Sequence, residues 1–199
     1  KTENDAAELG SCNGYAQNCN IGDILNSDGT CSSIKEKDKA PIGVVVAIKD
    51  NCGWAITVNP IKGSFAWSRR NTATGSGTTT DVQSAIKNFD ACTNTQKIIQ
   101  LGDSEQYPAA WAAVNYAPNT APETMGKWCL PAPGILNSLY TNMNVIENVV
   151  PEIGGTPFNE RIWSSSEQTD SGAWTFVSNH GISAYGKSSN LSVRPVIEF

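Results

Sequence analysis

The run from Trp163 to Phe199 constrains this chain most, because its aromatic and polar residues alternate with the two-residue period of a strand. Trp174 and Phe176 alternate with Thr175 and Val177. Ser178-Asn179-His180-Gly181 then supplies a turn, and Ile182 and Ala184 alternate with Ser183 and Tyr185. The spacing predicts a hairpin. A third run, Leu191 to Phe199, alternates less cleanly, and its Pro195 suits an edge or a strand end. The segment reads as antiparallel β with its polar residues gathered at turns.

Within this run, Gly181-Ile182-Ser183-Ala184-Tyr185-Gly186-Lys187-Ser188 matches the phosphate-loop pattern G-x-x-x-x-G-K-[ST]. A phosphate loop opens a helix in a parallel α/β sheet. The residues after Ser188 carry Pro195 and β-branched side chains instead of a helical period, so the match is read as a glycine-rich hairpin turn.

Ile21 to Leu25 followed by Ser27-Asp28-Gly29-Thr30 predicts a strand ending in an Asp-Gly turn. Pro41 to Ile48 and Trp54 to Val58 predict a second hairpin, broken at Asp50-Asn51-Cys52-Gly53. Asn71 to Thr80, with Gly75-Ser76-Gly77, reads as an exposed flexible loop. A cap at Thr80 or Asp81 precedes Val82, Ala85, Ile86 and Phe89, a one-sided apolar stripe that predicts a helix. Shorter helical pieces are expected over 96–101 and 108–116. A second main helix is expected over 133–143, lined by Leu136, Leu139, Tyr140 and Met143. Strands, helices and strands again give an α+β class with antiparallel sheets, two main helices and long loops.

The 199 residues fit one domain, here residues 21–199, and 39% apolar residues can furnish its core. Residues 1–20 are polar and aperiodic and read as a lead-in or tether carrying little core. Fourteen basic and 19 acidic side chains leave a net charge of −5, which argues against nucleic acid or an anionic membrane surface as partner. No apolar run is long enough to span a bilayer, and the first residues are too polar for a signal peptide, so a mature or trimmed ectodomain is expected.

Cys12, Cys19, Cys31, Cys52, Cys92 and Cys129 form an even set with no C-x-x-C, and a single histidine accompanies them, which leaves no zinc pattern. They predict disulfides and an oxidising compartment. Fifteen pairings are possible; Cys12 with Cys19 would close a small loop in the lead-in.

Several of these segments together resemble a known family. They are Ile21 to Thr30, Pro41 to Val45, Asn94-Thr95, Trp128-Cys129-Leu130-Pro131 with Leu136 and Leu139-Tyr140, Trp163 to Glu167, Ala173-Trp174 and Val193-Arg194-Pro195-Val196. In order and spacing they look like the Lcl C-terminal domain family, which closes a collagen-like bacterial adhesin and recurs in bacterial surface proteins. The resemblance covers residues 21–199. It implies a C-type-lectin-like fold, in the branch shared with formylglycine-generating enzymes and retroelement-diversified variable proteins. Cys129 and Ile135 depart from the family, which usually has a polar or basic residue and a Glu around its Leu-Pro motif. In such a fold the first and last strands pair, leaving one face to display loops.

The hydroxyls, amides and one aromatic ring between Gln168 and Asn190 suit adaptable recognition. Gln168, Thr169, Asp170, Thr175, Ser178, Asn179, His180, Ser183, Tyr185, Ser188, Ser189 and Asn190 are the candidate ligand-binding residues. Trp54, Trp128, Trp163 and Trp174 sit in apolar alternation and are expected in the core, with Trp67 and Trp111 unassigned. The chain lacks the Glu-Pro-Asn, Gln-Pro-Asp and Trp-Asn-Asp motifs of calcium-dependent sugar-binding lectins. Asp23, Asp28, Asp50, Asp90 and Asp103 are scattered and read as turn formers or caps. No cofactor is therefore expected, a structural calcium ion being the one exception with a chemical rationale.

No paired-cysteine site, no G-x-S-x-G elbow and no partner for His180 mark catalysis. The expected function is non-enzymatic recognition or adhesion, with a protein or glycan ligand on a host or neighbouring cell and display on a cell surface, virion or pilus tip. The domain would form part of a longer surface protein or fibre. Two alternatives share the fold: a retroelement-diversified receptor-binding protein, and a structural pilus or envelope subunit.

Overall fold

The computed structural model of the chain describes residues 7–12 and 15–199. Eleven strands are found among them: β1 Ile24–Asn26, β2 Cys31–Ser32, β3 Pro41–Lys49, β4 Cys52–Ile56, β5 Phe65–Ala66, β6 Trp128–Cys129, β7 Ile162–Glu167, β8 Gly172–Val177, β9 Gly181–Gly186, β10 Asn190–Leu191 and β11 Val196–Glu198. Five α-helices are described: α1 Val82–Ala85, α2 Ala91–Ile99, α3 Pro108–Val114, α4 Pro133–Thr141 and α5 Met143–Val149. The class is α+β, as the alternation of patterns predicts.

The larger sheet has the order β2-β1-β3-β4-β11-β6, and every pairing in it is antiparallel. Its central hairpin follows from local chemistry. Asp50 (φ 51°) and Asn51 (φ 66°) occupy the left-handed region between the paired Lys49 and Cys52, the two-residue turn whose twist matches the strands. β11 adds beside β4 and is followed by β6, so a strand distant in sequence completes the sheet. Gly53 makes room for it: a Cβ there would lie 2.3 Å from the Phe199 ring.

This sheet separates two cores. On one face Val44, Val46, Ile56 and Val196 pack with Ile135, Leu136 and Leu139 of α4, Ile146 of α5, and Ile162 and Phe176 of β7 and β8. On the other face Leu25, Ile42, Val45, Ala55, Trp128 and Ile197 pack with Ala16 and Cys19. A third cluster joins Trp67, α3 alanines, Leu130, Trp163, Ala173 and Val193. Trp54, Trp128, Trp163 and Trp174 are buried, as expected, and Trp67 joins them. Each buried indole N–H among these five finds an acceptor, so the polar end of the ring adds a bond to its buried area.

Several expectations are corrected. The cysteines pair Cys12–Cys52, Cys19–Cys31 and Cys92–Cys129, so Cys12 does not close a loop with Cys19. The described part of the lead-in does carry core: Ala16 and Cys19 are buried, Ala7 N donates to Gly29 O (2.8 Å) and Gly10 N to Glu198 O (2.7 Å). The stripe at Val82 to Phe89 yields only the single turn α1. Asp81 caps it as expected, accepting from Ser84 N (2.8 Å), but Asn88 O then accepts Gly134 N of α4 (2.8 Å) and Asn88 Oδ1 accepts Asp90 N (2.9 Å). Those bonds turn the chain before Phe89 can extend a helix. The expected second helix over 133–143 divides at Asn142 into α4 and α5.

Candidate functional site

The three-stranded sheet β7-β8-β9 and its turns carry most of the expected ligand-binding residues, and a two-stranded sheet pairs β5 with β10. The β8–β9 register runs without interruption from Gly172↔Gly186 to Val177↔Gly181, whereas the β7–β8 register shifts between Trp163 and Glu167. Gln168, Thr169 and Asp170 therefore stand in the β7–β8 turn at one end, and Ser188, Ser189 and Asn190 follow β9 at the same end. Ser178, Asn179 and His180 form the β8–β9 turn at the other end, with Asn179 and His180 exposed. The six residues of β8 separate the ends by roughly 17 Å. Nine of the twelve residues thus form two tips, not one patch, and Thr175, Ser183 and Tyr185 lie on the strands between them.

Between the tips, Thr175 and Ser183 are opposite one another, and Thr175 Oγ1 donates to Ser183 O (3.3 Å). Thr175 is fully buried, which removes it from any surface contact. Tyr185 is 45% exposed and lies beneath the Arg161 guanidinium, 4.5 Å from the ring centroid. This stacked pair is the most prominent feature of the exposed side of β9.

The phosphate-loop match resolves into structure of another kind. Gly181 to Gly186 is β9 itself, more strand than the expected turn, and the Lys187 that follows is fully buried. Its ammonium pairs with the Glu167 carboxylate at the end of β7, donates to Thr72 O (3.1 Å) and lies 4.8 Å from the centroid of the Trp67 ring. Glu167 in turn accepts from Thr74 N (3.0 Å), Gly75 N (3.3 Å) and Thr78 Oγ1 (2.7 Å), while its own N–H donates to Ser76 O (2.9 Å). Burial alone would push the Glu167 carboxyl up. The hydrogen bonds from Lys187 and Thr78, the Lys187 charge and the Thr74 amide outweigh it and hold the group below its ordinary range.

The segment read as an exposed flexible loop is therefore corrected in part: residues 74–79 wrap a buried carboxylate, and Ser76 is itself fully buried. Gly77, at φ 56°, brings the loop against the neighbouring side chains, since a Cβ there would lie 2.6 Å from Asn88 Nδ2 and 2.7 Å from Ser166 Oγ. Trp174 Nε1 donates to Thr79 O (3.0 Å) and anchors the loop to the sheet.

Beside this loop lies a concavity of about 460 Å³, walled by Gly75, Gly77, Thr78 and Thr79 on one side and by Ser84, Asn88, Asp90, Asn94 and Lys97 on the other. A smaller one of about 280 Å³ adjoins it across Asp90, lined by Lys49, Trp54, Phe89 and the Cys12–Cys52 bridge among others. None of these residues was expected at a site. Asn94 and Asn88 offer no motif, and their convergence depends on the close approach of Gly77 and on Ser166, which is 72 positions from Asn94.

Of the scattered carboxylates, Asp23 accepts Asn20 N (2.7 Å), Asp28 accepts Thr30 N (3.0 Å) and Asp103 accepts Glu105 N (3.0 Å). These three are turn formers, as expected. Among the described residues no group of three or more His, Cys, Asp or Glu stands where it could hold a metal ion, and no helix is long and apolar enough to cross a membrane.

No family model matches the chain, and no curated protein matches it. Among solved structures it is similar to a fimbrial protein from Bacteroides ovatus, with a TM-score of 0.64 at 13% identity. The likeness covers 90% of this chain and 49% of that one, so the chain spans about half the length of the protein it matches. At this identity the likeness establishes a shared fold.

Proposed function

We propose that this chain is a non-enzymatic, surface-displayed subunit of a fimbria-like or envelope assembly, built on a C-type-lectin-like version of the α+β class. The observation that carries the reading is the likeness to the fimbrial protein over 90% of the chain. Three disulfides support it, because such bonds persist in oxidising, extracytoplasmic settings. The resemblance to the Lcl C-terminal domain family agrees with the same setting. The first and last strands do not pair as that resemblance implies, since β1 joins β2 and β3 while β11 joins β4 and β6, but the bond from Gly10 to Glu198 still brings early and late segments together. The exposed tips at 168–170, 178–180 and 188–190 are then the surfaces free to meet a protein or glycan partner, while the body serves as a rigid stapled unit.

Labelling of intact producing cells with an antibody to this domain, followed by mild cross-linking, tests the reading. The expected result is surface labelling and a ladder of species above the monomer. An epitope reached only after lysis, with monomer alone after cross-linking, would end it.

A further inference from the structure

We infer that the concavity between residues 75–79 and α2 is a calcium-independent binding site for a neutral, hydroxyl-rich ligand, one sugar unit of a glycan. The inference goes beyond assembly and stands whether or not the chain forms fibres. Its volume of about 460 Å³ lies in the range of small-molecule sites.

The chemistry of the walls selects the ligand. Asn94 is only 2% exposed; its Nδ2 donates to Asn88 Oδ1 (3.2 Å) and Ser166 Oγ (3.3 Å), and its Oδ1 accepts from no described residue. Asn88 Nδ2, the Asp90 carboxylate and Lys97 Nζ likewise have no hydrogen-bond or ion-pair partner among the described residues. Two donors and two acceptors are thus unused around one concavity. A sugar hydroxyl both donates and accepts, so adjacent hydroxyls can satisfy such a mixed set.

Other ligand classes fit less well. No large apolar or aromatic side chain lines the concavity, which disfavours an apolar ligand. Asp90 and Lys97 have opposite charge, so neither an anion nor a cation is favoured outright. They are seven residues apart along α2, about 10 Å of helical rise, farther than the two charges of an amino acid lie from each other. The walls are also preorganised. The Glu167–Lys187 pair fixes the loop and the Cys92–Cys129 bridge ties down α2, which reduces the ordering cost of binding.

The test uses the whole oxidised chain, labelled with nitrogen-15, titrated with the methyl glycosides of glucose, galactose, mannose and N-acetylglucosamine, and in parallel with glycine and with acetate. The expected result is saturable shifts at the Gly75, Gly77 and Thr78 amides and at the Asn88 and Asn94 side-chain amides with at least one glycoside, unchanged by a calcium chelator. Glycine and acetate should leave those signals in place. Lys97 and Ser84 are exposed, so their variants should keep the remaining spectrum. Lys97→Ala should weaken binding about tenfold, the value of one charge-assisted hydrogen bond, and Ser84→Phe should abolish it by filling the concavity. The variant Lys35→Ala, at an exposed position outside the lining of the concavity, should bind as the unmodified chain does. The inference is overturned if no glycoside moves these signals, if glycine or acetate moves them instead, or if the shifts map to residues 168–190.

Discussion

Glu167 and Lys187 form an ion pair in which neither side chain retains any solvent exposure, and the loop at residues 72–79 is built around it. Two charges withdrawn from water are tolerated here because the carboxylate accepts two backbone amides and a hydroxyl, and the ammonium has a carbonyl and an indole face.

Removing one partner leaves the other charged and buried. Lys187→Met is expected to cost about 3–5 kcal/mol. In the double variant Lys187→Met/Glu167→Gln the isolated charge is gone, so the loss should be clearly smaller than the sum of the two single losses. Urea denaturation of all four proteins measures this coupling, and strict additivity would show that the pair is not a unit.

The same carboxylate sets an acid limit. Its folded pKa lies below the ordinary glutamate value of 4.5, so its contribution is present above that pH and is lost as pH falls through the folded value. Stability should therefore hold down to about pH 4 and decline below it. Glu167→Gln should flatten that decline; urea midpoints of the two proteins that fall in parallel with pH would contradict the assignment.

Arg194 answers to geometry more than to charge. Its fully buried guanidinium pairs with Glu160, donates to Val58 O (3.1 Å), Thr156 O (3.1 Å), Thr156 Oγ1 (2.9 Å) and Pro157 O (2.9 Å), and lies 4.2 Å from the Phe158 ring centroid. A lysine would keep the charge and lose the planar fork, so Arg194→Lys should cost about 2–4 kcal/mol by thermal or urea unfolding. An unchanged melting temperature would show that the fork is dispensable.

The disulfides differ in the loops they close. Cys92–Cys129 spans 37 residues and Cys19–Cys31 spans 12, so on a chain-entropy argument their removal costs about 4 and about 3 kcal/mol. Paired serine variants measured in the same denaturant series should preserve that order. A reversed order would show that native contacts around the sulfurs, and not loop closure, set their value.

What the sequence made legible was local. The turn at Asp50-Asn51, the Asp81 cap, the proline starts of α3 and α4 and the alternation through Trp174 and Ile182 each obey rules that act within a few residues, and each is found. What escaped depends on distant partners. Polar Ser164, Ser165, Ser166 and Glu167 are all buried because structure covers both sides of β7, and Lys187 reads locally as a polar turn residue although Glu167 waits 20 positions earlier. The concavity escaped for the same reason. Asn88, Asn94 and Gly77 have ordinary sequence surroundings, and only the fold brings their side chains and backbone to one place. Most of the expected ligand-binding residues were legible as turn residues, yet their division between two tips follows from the β8–β9 register, which composition does not carry.

The placement of β11 beside β4 bears on how the chain reaches this state. Residues 57–195 intervene between the two strands, so the open edge of β4 can form early with its hairpin partner β3 but closes only through a contact across most of the sequence. A newly made chain would hold that edge unpaired for an interval, in the environment where its thiols are being oxidised. Slow acquisition of the native state, and sensitivity to the concentration of other chains during that interval, are the kinetic signature this architecture should leave.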